Sequence, residues 1–402
     1  MNLEEIYFKN KKKLLFSGDS NVSEIRNNIL EKLLSKKNDS KNKKKYNNDD
    51  FNIFDKINYK FENSSISSSI RVYEKRIYNF DIVDGHLKPF EDSQIKISPI
   101  EYKDNNILDE DNDIINLNTL FTNGGYEIEI KKSKKITINI KNIISNSSFT
   151  TFQKNSIICN QNSEVTIIET FEDKSSDLNN IFQSIELKQN AKLNHIIIQK
   201  INENNNLFLN THTICNYYSN YNQTVFNFSE GKVINCHYTD LNESQSNVNY
   251  NGLFFLKDFN NTTNKTLVRH NSESCKSDQN YKGVLGGNSK ATYNSFTIVG
   301  EKAPKTEGFQ LSKGILLSKD SIFLSKPELR IYNEDVKCSH GATIGPVDEK
   351  IIYYIRSRGI SKTEAINILV RSFVEENILR LNNINIKNKI DTYINNFLTQ
   401  LN

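Results

Sequence analysis

Tyr126-Glu127-Ile128-Glu129-Ile130 and Ile136-Thr137-Ile138-Asn139-Ile140 place an apolar residue at every second position. Successive strand residues point to opposite faces, so this alternation marks a half-buried strand. The pattern returns at Val165-Thr166-Ile167 and Phe226-Asn227-Phe228, and period two holds from about residue 63 to 345. Strand starts recur after small polar turns: Asn162-Ser163-Glu164-Val165, Asn190-Ala191-Lys192-Leu193, Ser229-Glu230-Gly231-Lys232-Val233 and Asn288-Ser289-Lys290-Ala291. Helical spacing is almost absent over this stretch. Its length far exceeds one sandwich of about 100 residues. It suits a solenoid in which each coil stacks on the last, with a pair of sandwiches as the alternative on pattern alone.

Helical periodicity appears only at the two flanks. Near the N-terminus, Asn21-Val22-Ser23-Glu24 reads as a helix start with Asn21 as N-cap, and Leu30, Leu33 and Leu34 follow at helical spacing. The polar run from Lys36 to Asp50 reads as a flexible connection. At the other flank, Pro346-Val347-Asp348 introduces a segment through Ile351, Ile352, Tyr354 and Ile355, broken by Gly359 at a C′ position. Ser361-Lys362-Thr363-Glu364 is a capping box. It opens a helix expected to present Ala365, Ile368, Leu369, Ser372, Phe373 and Leu379 on one face, and a last amphipathic stretch covers Ile390 to Leu401. The expected division is an N-terminal helical region (1–62), a β core (63–345) and a C-terminal helical domain (346–402).

Composition narrows the classes further. The 402 residues hold 36% apolar residues, low for a globular chain even with the 15 glycines added, and 60 asparagines. Asparagine tolerates left-handed turn conformations, so it is expected at the corners of stacked coils. The net charge is +4, and 12 Lys/Arg against 6 Asp/Glu in the first 45 residues account for it. No aromatic ladder or nucleic-acid fold motif accompanies those lysines, so no nucleic acid partner is expected. No apolar run approaches the roughly 18 residues of a membrane span. Met1 to Glu5 is acidic with no apolar segment after it, so neither a secretory nor a transit signal is expected and the chain reads as cytoplasmic. Five scattered cysteines, Cys159, Cys215, Cys236, Cys275 and Cys338, read as reduced thiols rather than a disulfide scaffold or a zinc knuckle.

Chemistry concentrates in one segment. Gly283-Val284-Leu285-Gly286-Gly287-Asn288-Ser289-Lys290 lacks P-loop spacing and reads as a turn. There is no HExxH, GxSxG or GxGxxG after a strand, so no ATP, NAD or FAD site and no catalytic residues are expected. In Val336-Lys337-Cys338-Ser339-His340-Gly341, by contrast, a thiol and an imidazole stand two apart and share one strand face. Thiolate and imidazole together suit iron–sulfur chemistry, zinc or copper(I). Two ligands do not fill a site, so the rest would come from another chain or other loops; a buried cysteine beside a turn histidine is the bland alternative. Cys236 and His237 are adjacent, face opposite ways on a strand and make poor co-ligands.

The stretch from Lys326 to Phe373 resembles the C-terminal signature of the SufD scaffold family in the SUF iron–sulfur cluster assembly machinery. The resemblance runs through Lys326-Pro327-Glu328-Leu329-Arg330-Ile331-Tyr332 and Glu334-Asp335-Val336-Lys337-Cys338-Ser339-His340-Gly341-Ala342-Thr343-Ile344-Gly345. It continues in Tyr353-Tyr354-Ile355-Arg356-Ser357-Arg358-Gly359-Ile360 and Glu364-Ala365. Upstream, Thr266 to His270, Ser277 to Val284 and Lys305 to Gln310 match in the same order. A weaker echo lies at Lys45-Tyr46 and Phe54. The chain departs from the family at Arg330, where an acid is usual, and at Asn294-Ser295, in place of Asn-Gly.

The resemblance implies a mainly β fold: a right-handed parallel β-helix flanked by N-terminal and C-terminal α-helical regions. It implies a non-catalytic scaffold that pairs with SufB along the β-helices and binds the SufC ATPase through its C-terminal helices, with ATP turnover in SufC. His340, and secondarily Cys338, would help hold a transient iron–sulfur cluster shared with SufB. His270 is expected at an interface or as a satisfied structural histidine, and Arg356 and Arg358 at the SufC contact or bracing the cap. The isolated chain could pair with itself. Two rival readings remain: a SufB-like homodimeric cluster scaffold, and a β-helix carbohydrate-active enzyme.

Overall fold

The computed structural model describes residues 3–39, 68–73, 76–101, 112–131, 134–144, 150–172, 178–379, 381 and 383–400. Helices α1 (Leu3–Asn10) and α2 (Ser20–Asp39) lead the chain. Asp19, not Asn21, caps α2: its Oδ1 accepts from the backbone N–H of Asn21 at 2.9 Å and Val22 at 3.2 Å. A carboxylate at this earlier position satisfies the same orphan donors and adds favourable charge at the positive helix end. The connection expected from Lys36 does not start there, because α2 continues to Asp39; the rest of it and the Lys45-Tyr46 and Phe54 echo lie outside the described residues.

Strands then alternate between two ten-stranded sheets. One sheet runs from Ser69–Tyr73 to Val336–Pro346 and the other from Phe90–Glu91 to Ile322–Ile331. The first pairings in each are antiparallel. From Lys134–Ile143 in one sheet and Tyr126–Ile130 in the other, strands pair in parallel with the strand one coil on. The step between coils varies from 26 residues (Asn206 to Lys232) to 32 (Lys290 to Ile322), which is why the sequence shows no fixed repeat. The fold is therefore a mainly β solenoid with helices at both ends, as the period-two pattern predicts.

Side chains facing the solenoid axis form the main core. Ile128, Ile138, Ile157, Ile167 and Ile185 stack there in the earlier coils, and Tyr221, Tyr250, Tyr281 and Tyr293 in the later ones. Each coil turns through a left-handed corner residue: Asn162, Asn190, Tyr218, Gln245, Ser274 and Lys305. The N–H of each donates to a carbonyl of the next coil, from Asn162 onto Gln189 at 3.1 Å to Lys305 onto Asp335 at 2.6 Å. Asparagine thus fills only two of these six corners. Many others hydrogen-bond between coils, as in Asn249 to Asn222 at 2.7 Å and Asn235 to Asn264 at 3.0 Å. Such ladders satisfy polar groups that an apolar core would orphan. Gly287 does need its identity: it is left-handed (φ 62°), and a Cβ there would lie 2.5 Å from the Asp258 nitrogen.

Two helical units cover opposite outer faces. The first contains α3 (Asp113–Phe121), a short helix inside the region read as free of helices. Asn112 caps it, and with α1 and α2 it buries Phe152, Leu178, Phe208 and Ile234 of one sheet. Nine residues give too few turns for the periodicity to stand out against flanking strands. The second unit holds α4 (Glu349–Arg356), α5 (Lys362–Leu379) and α6 (Ile384–Gln400). Val370, Val374, Ile390, Ile394 and Phe397 cover Ile196, Ile198, Phe226, Phe255 and Val284 of the other sheet.

The expected capping box forms, with Glu364 Oε2 accepting from Ser361 N at 3.2 Å and Ser361 Oγ accepting from Glu364 N at 3.2 Å. The buried face of α5 is rotated from the expected one. Ala365, Val370, Val374 and Ile378 are buried, whereas Ile368, Ser372 and Leu379 are not. Lys282 pins this unit down. Its buried Nζ donates to the Phe373 carbonyl and to Glu376, both at 3.0 Å. Lys282→Met keeps the aliphatic stem but removes both charge-assisted hydrogen bonds, and is expected to cost about 1–3 kcal/mol in urea unfolding. An unchanged midpoint would contradict the pin.

Candidate functional site

The last coil has no coil beyond it. Val336–Pro346 and Ile322–Ile331 are the terminal strands of the two sheets, each paired on one side only. Phe309, Ile322, Leu324, Ile331 and Tyr332 are exposed around this end, Leu324 and Tyr332 to 61% each. An open sheet edge beside apolar side chains is a surface that another strand or chain can cover.

Cys338 and His340 sit on the first of these strands. Cys338 registers with Gly308 and His340 with Gln310. Following the register back through the coils, His340 ends the row Gln310, Gln279, Tyr250, Gln223, His195. Those five are buried in the solenoid interior. Cys338 ends the neighbouring row of Gly308, Ser277, Val248 and Tyr221. Thiol and imidazole therefore share the axial face at the open mouth, as the spacing predicts. The lack of a side chain at Gly308 admits the thiol: a Cβ there would stand 3.3 Å from Cys338 Sγ and 3.5 Å from Ser277 Oγ. Burial pushes the Cys338 thiol above its ordinary pKa, against a hydrogen bond from the Gly308 N–H that lowers it. His340 is exposed.

Cys338 and His340 are two donors, and among the described residues no three His, Cys, Asp or Glu side chains come together in a metal-holding group. Iron–sulfur clusters accept both donor types and take more ligands than these.

The remaining candidate residues lie elsewhere. His270 is fully buried inside the solenoid, its Nε2 2.8 Å from Ser277 Oγ, and burial lowers its pKa to about 4. Its Nδ1 has no hydrogen-bond partner, so the ring is enclosed in the interior and held by one nitrogen only. Cys159 and Cys215 face the core, where burial pushes both thiols up to about 12. Cys236 packs beneath the N-terminal helices while His237 faces the interior, on opposite strand faces as predicted. Arg356 is exposed on α4 and Arg358 just beyond it, and Arg358 donates to Tyr354 Oη at 3.1 Å. Around them Ile351, Tyr353 (75%) and Tyr354 are exposed too, an aromatic and cationic surface. Gly308 and Gln310 fall within the Lys305 to Gln310 stretch, yet sequence reasoning assigns neither a role. The signal that reveals them is register: each stands one coil, 30 residues, before Cys338 or His340.

The family model for the SufBD core domain of SUF-system iron–sulfur cluster assembly matches residues 142–373. The chain is 35% identical over 138 residues to the iron–sulfur cluster assembly protein SufD of Escherichia coli, covering 34% of this chain and 33% of that protein. It is 26% identical over 264 residues to SufD of Plasmodium berghei, covering 64% of this chain and 19% of that protein. It is also 25% identical over 232 residues to a SufBD family protein of Synechocystis, covering 55% and 51%. The matched stretches thus span about half or less of those relatives' own lengths. Among the described residues, no helix is long and apolar enough to cross a membrane.

Proposed function

Because the chain belongs to the SufBD core family of SUF iron–sulfur cluster assembly, we propose that it acts as a non-catalytic scaffold subunit of the SufD kind, in the cytoplasm. It pairs with a SufB-type chain at the open end of its solenoid, and Cys338 and His340 supply part of the ligand set for a cluster shared across that interface, His340 foremost. The cluster is the cargo of this machinery. The observation that carries the reading is the mouth itself: two cluster-compatible donors on the interior-facing side of the edge strand of the last coil, beside exposed apolar side chains. Without the partner, the same edges favour pairing with a second copy of the chain.

The division at 1–62, 63–345 and 346–402 then separates three roles, namely helical cover, scaffold, and docking of a SufC-type ATPase. The exposed side chains of α4 and the turn after it support the last of these. Tyr353, Tyr354, Arg356 and Arg358 offer the aromatic and arginine anchors that dominate interfaces. Removing 346–402 would be a poor test, since it uncovers Ile196, Ile198, Phe226 and Phe255. The double variant Tyr353→Ala/Tyr354→Ala leaves that cover in place. It is expected to weaken retention of the ATPase partner at least tenfold in co-purification, with the SufB-type chain still bound. Equal retention would place the docking surface elsewhere.

A further inference from the structure

We propose that Gln310 is the positioning residue for His340: its buried side-chain carbonyl, which has no other hydrogen-bond partner, is placed to accept an imidazole N–H of His340, hold one ring tautomer, and direct the other nitrogen out of the mouth. Its functional meaning rests on the reading of His340 as a cluster ligand; its structural content does not.

Gln310 lies directly beneath His340 in the parallel register, on the same axial row. Registered neighbours in parallel strands stand about 4.8 Å apart. The Gln310 side chain is only 3% exposed and its orientation is fixed. Nε2 donates to Thr297 Oγ1 at 2.8 Å and to the Glu328 carbonyl at 3.2 Å. A backbone carbonyl can only accept, so the amino end of the amide faces these two groups and both of its N–H donors are used.

Oε1 is left buried with no hydrogen-bond partner. An orphaned buried acceptor costs about 1–3 kcal/mol. Gln279, the residue registered directly beneath, cannot supply the donor. Gln279 Nε2 already donates to Thr297 Oγ1 at 2.8 Å and to the Phe296 carbonyl at 3.4 Å, and its Oε1 accepts from Thr266. The coil above presents His340. A neutral imidazole has one donor and one acceptor nitrogen. A metal-binding histidine commonly gives its second N–H to a carbonyl, which sets the tautomer and raises ligand basicity. Gln310, clamped through Thr297 to Gln279, is such an acceptor before any cluster arrives. This accounts for Gly308 and Gln310 within the Lys305 to Gln310 motif: Gly308 makes room for the thiol and Gln310 orients the ring.

The test uses the full, metal-free chain labelled with ¹⁵N-histidine, with the His340 resonances identified by their loss in His340→Ala. In the wild type at pH 8, His340 is expected in one tautomer, with well-separated ring-nitrogen shifts. Gln310→Met keeps length and volume but removes the carbonyl, and should move those shifts towards the average of two tautomers. Thr297→Val, which frees the amide clamp, should do the same in part. Wild-type His340 shifts averaged like those of free imidazole, or shifts unmoved by Gln310→Met, would overturn the proposal. The functional arm is separate. In the complex with SufB- and SufC-type partners, Gln310→Met should weaken iron retention about 10–100-fold while the complex still forms. A tautomer held by Gln310 with no loss of iron would support the positioning and refute the ligand role of His340.

Discussion

Taking the folded chain from pH 7 to pH 5 is expected to cost about 4 kcal/mol of stability, from two buried histidines. His237 is fully buried, and burial lowers its pKa to about 3. The Thr211 hydroxyl at 2.8 Å and the Gln223 amide at 3.3 Å both address its Nδ1, and its ring stacks on Tyr250. The amide can only donate from nitrogen, so Nδ1 must accept and the ring is neutral. His270, also buried, is lowered to about 4. Each binds its proton in the unfolded chain near pH 6.5 but refuses it in the folded one. Below about 6.5 the unfolded state therefore holds more protons, and stability falls as pH falls, until the folded-state values are reached near 4 and 3. Carboxylates act in a different window. Glu307, lowered by its hydrogen bond from Lys276, loses its contribution only as pH drops below the ordinary carboxylate range. Urea midpoints at pH 7 and pH 5 measure the effect, and His237→Phe should remove about half of it. A flat profile over this interval would show that both rings take up protons in the fold.

Glu169→Ala is expected to destabilise the chain by about 3–5 kcal/mol at pH 7, the cost of leaving several buried hydrogen-bond donors without their acceptor. The Glu169 and His195 side chains are both without exposed surface, and Glu169 Oε2 lies 3.2 Å from His195 Nε2. Glu169 Oε1 accepts from Asn142 at 3.1 Å, and Gln183 Nε2 approaches Oε2 at 3.5 Å. His195 Nδ1 in turn meets Tyr221 Oη at 3.2 Å. Removing the carboxylate takes the acceptor from three buried nitrogens, those of Asn142, Gln183 and His195. Glu169→Gln keeps the shape and one acceptor, and should cost less than half as much. A loss below about 1 kcal/mol for Glu169→Ala would mean that the site repacks or admits water.

Much of this was legible in the sequence, and the exceptions have physical causes. Period-two alternation at Tyr126 to Ile130 and Ile136 to Ile140 revealed the strands, and the Ser361–Glu364 box revealed a helix start, because both depend on local residue order. The buried face of α5 did not follow, because the outward Ile196, Phe226 and Phe255 of a distant sheet choose which helix side is covered. The expectation of corner asparagines holds only in part: a left-handed corner held by hydrogen bonds from two coils tolerates Tyr218 or Lys305 as well. At the site, the two-residue spacing of Cys338 and His340 predicted a shared face. The residues beneath them, Gly308 and Gln310, are set by coil register, and coil lengths of 26 to 32 residues hide that register from a single sequence.

If the open mouth of the solenoid holds part of a cluster shared with a partner, the cluster must depend on His340. The most direct measurement is iron and sulfide per complex after anaerobic reconstitution of this chain with SufB- and SufC-type partners, for the wild type and for His340→Ala. The exposed ring lies outside the packed core, so the variant complex should assemble normally and retain less than about a tenth of the wild-type cluster. Equal cluster content in an intact His340→Ala complex would contradict the account.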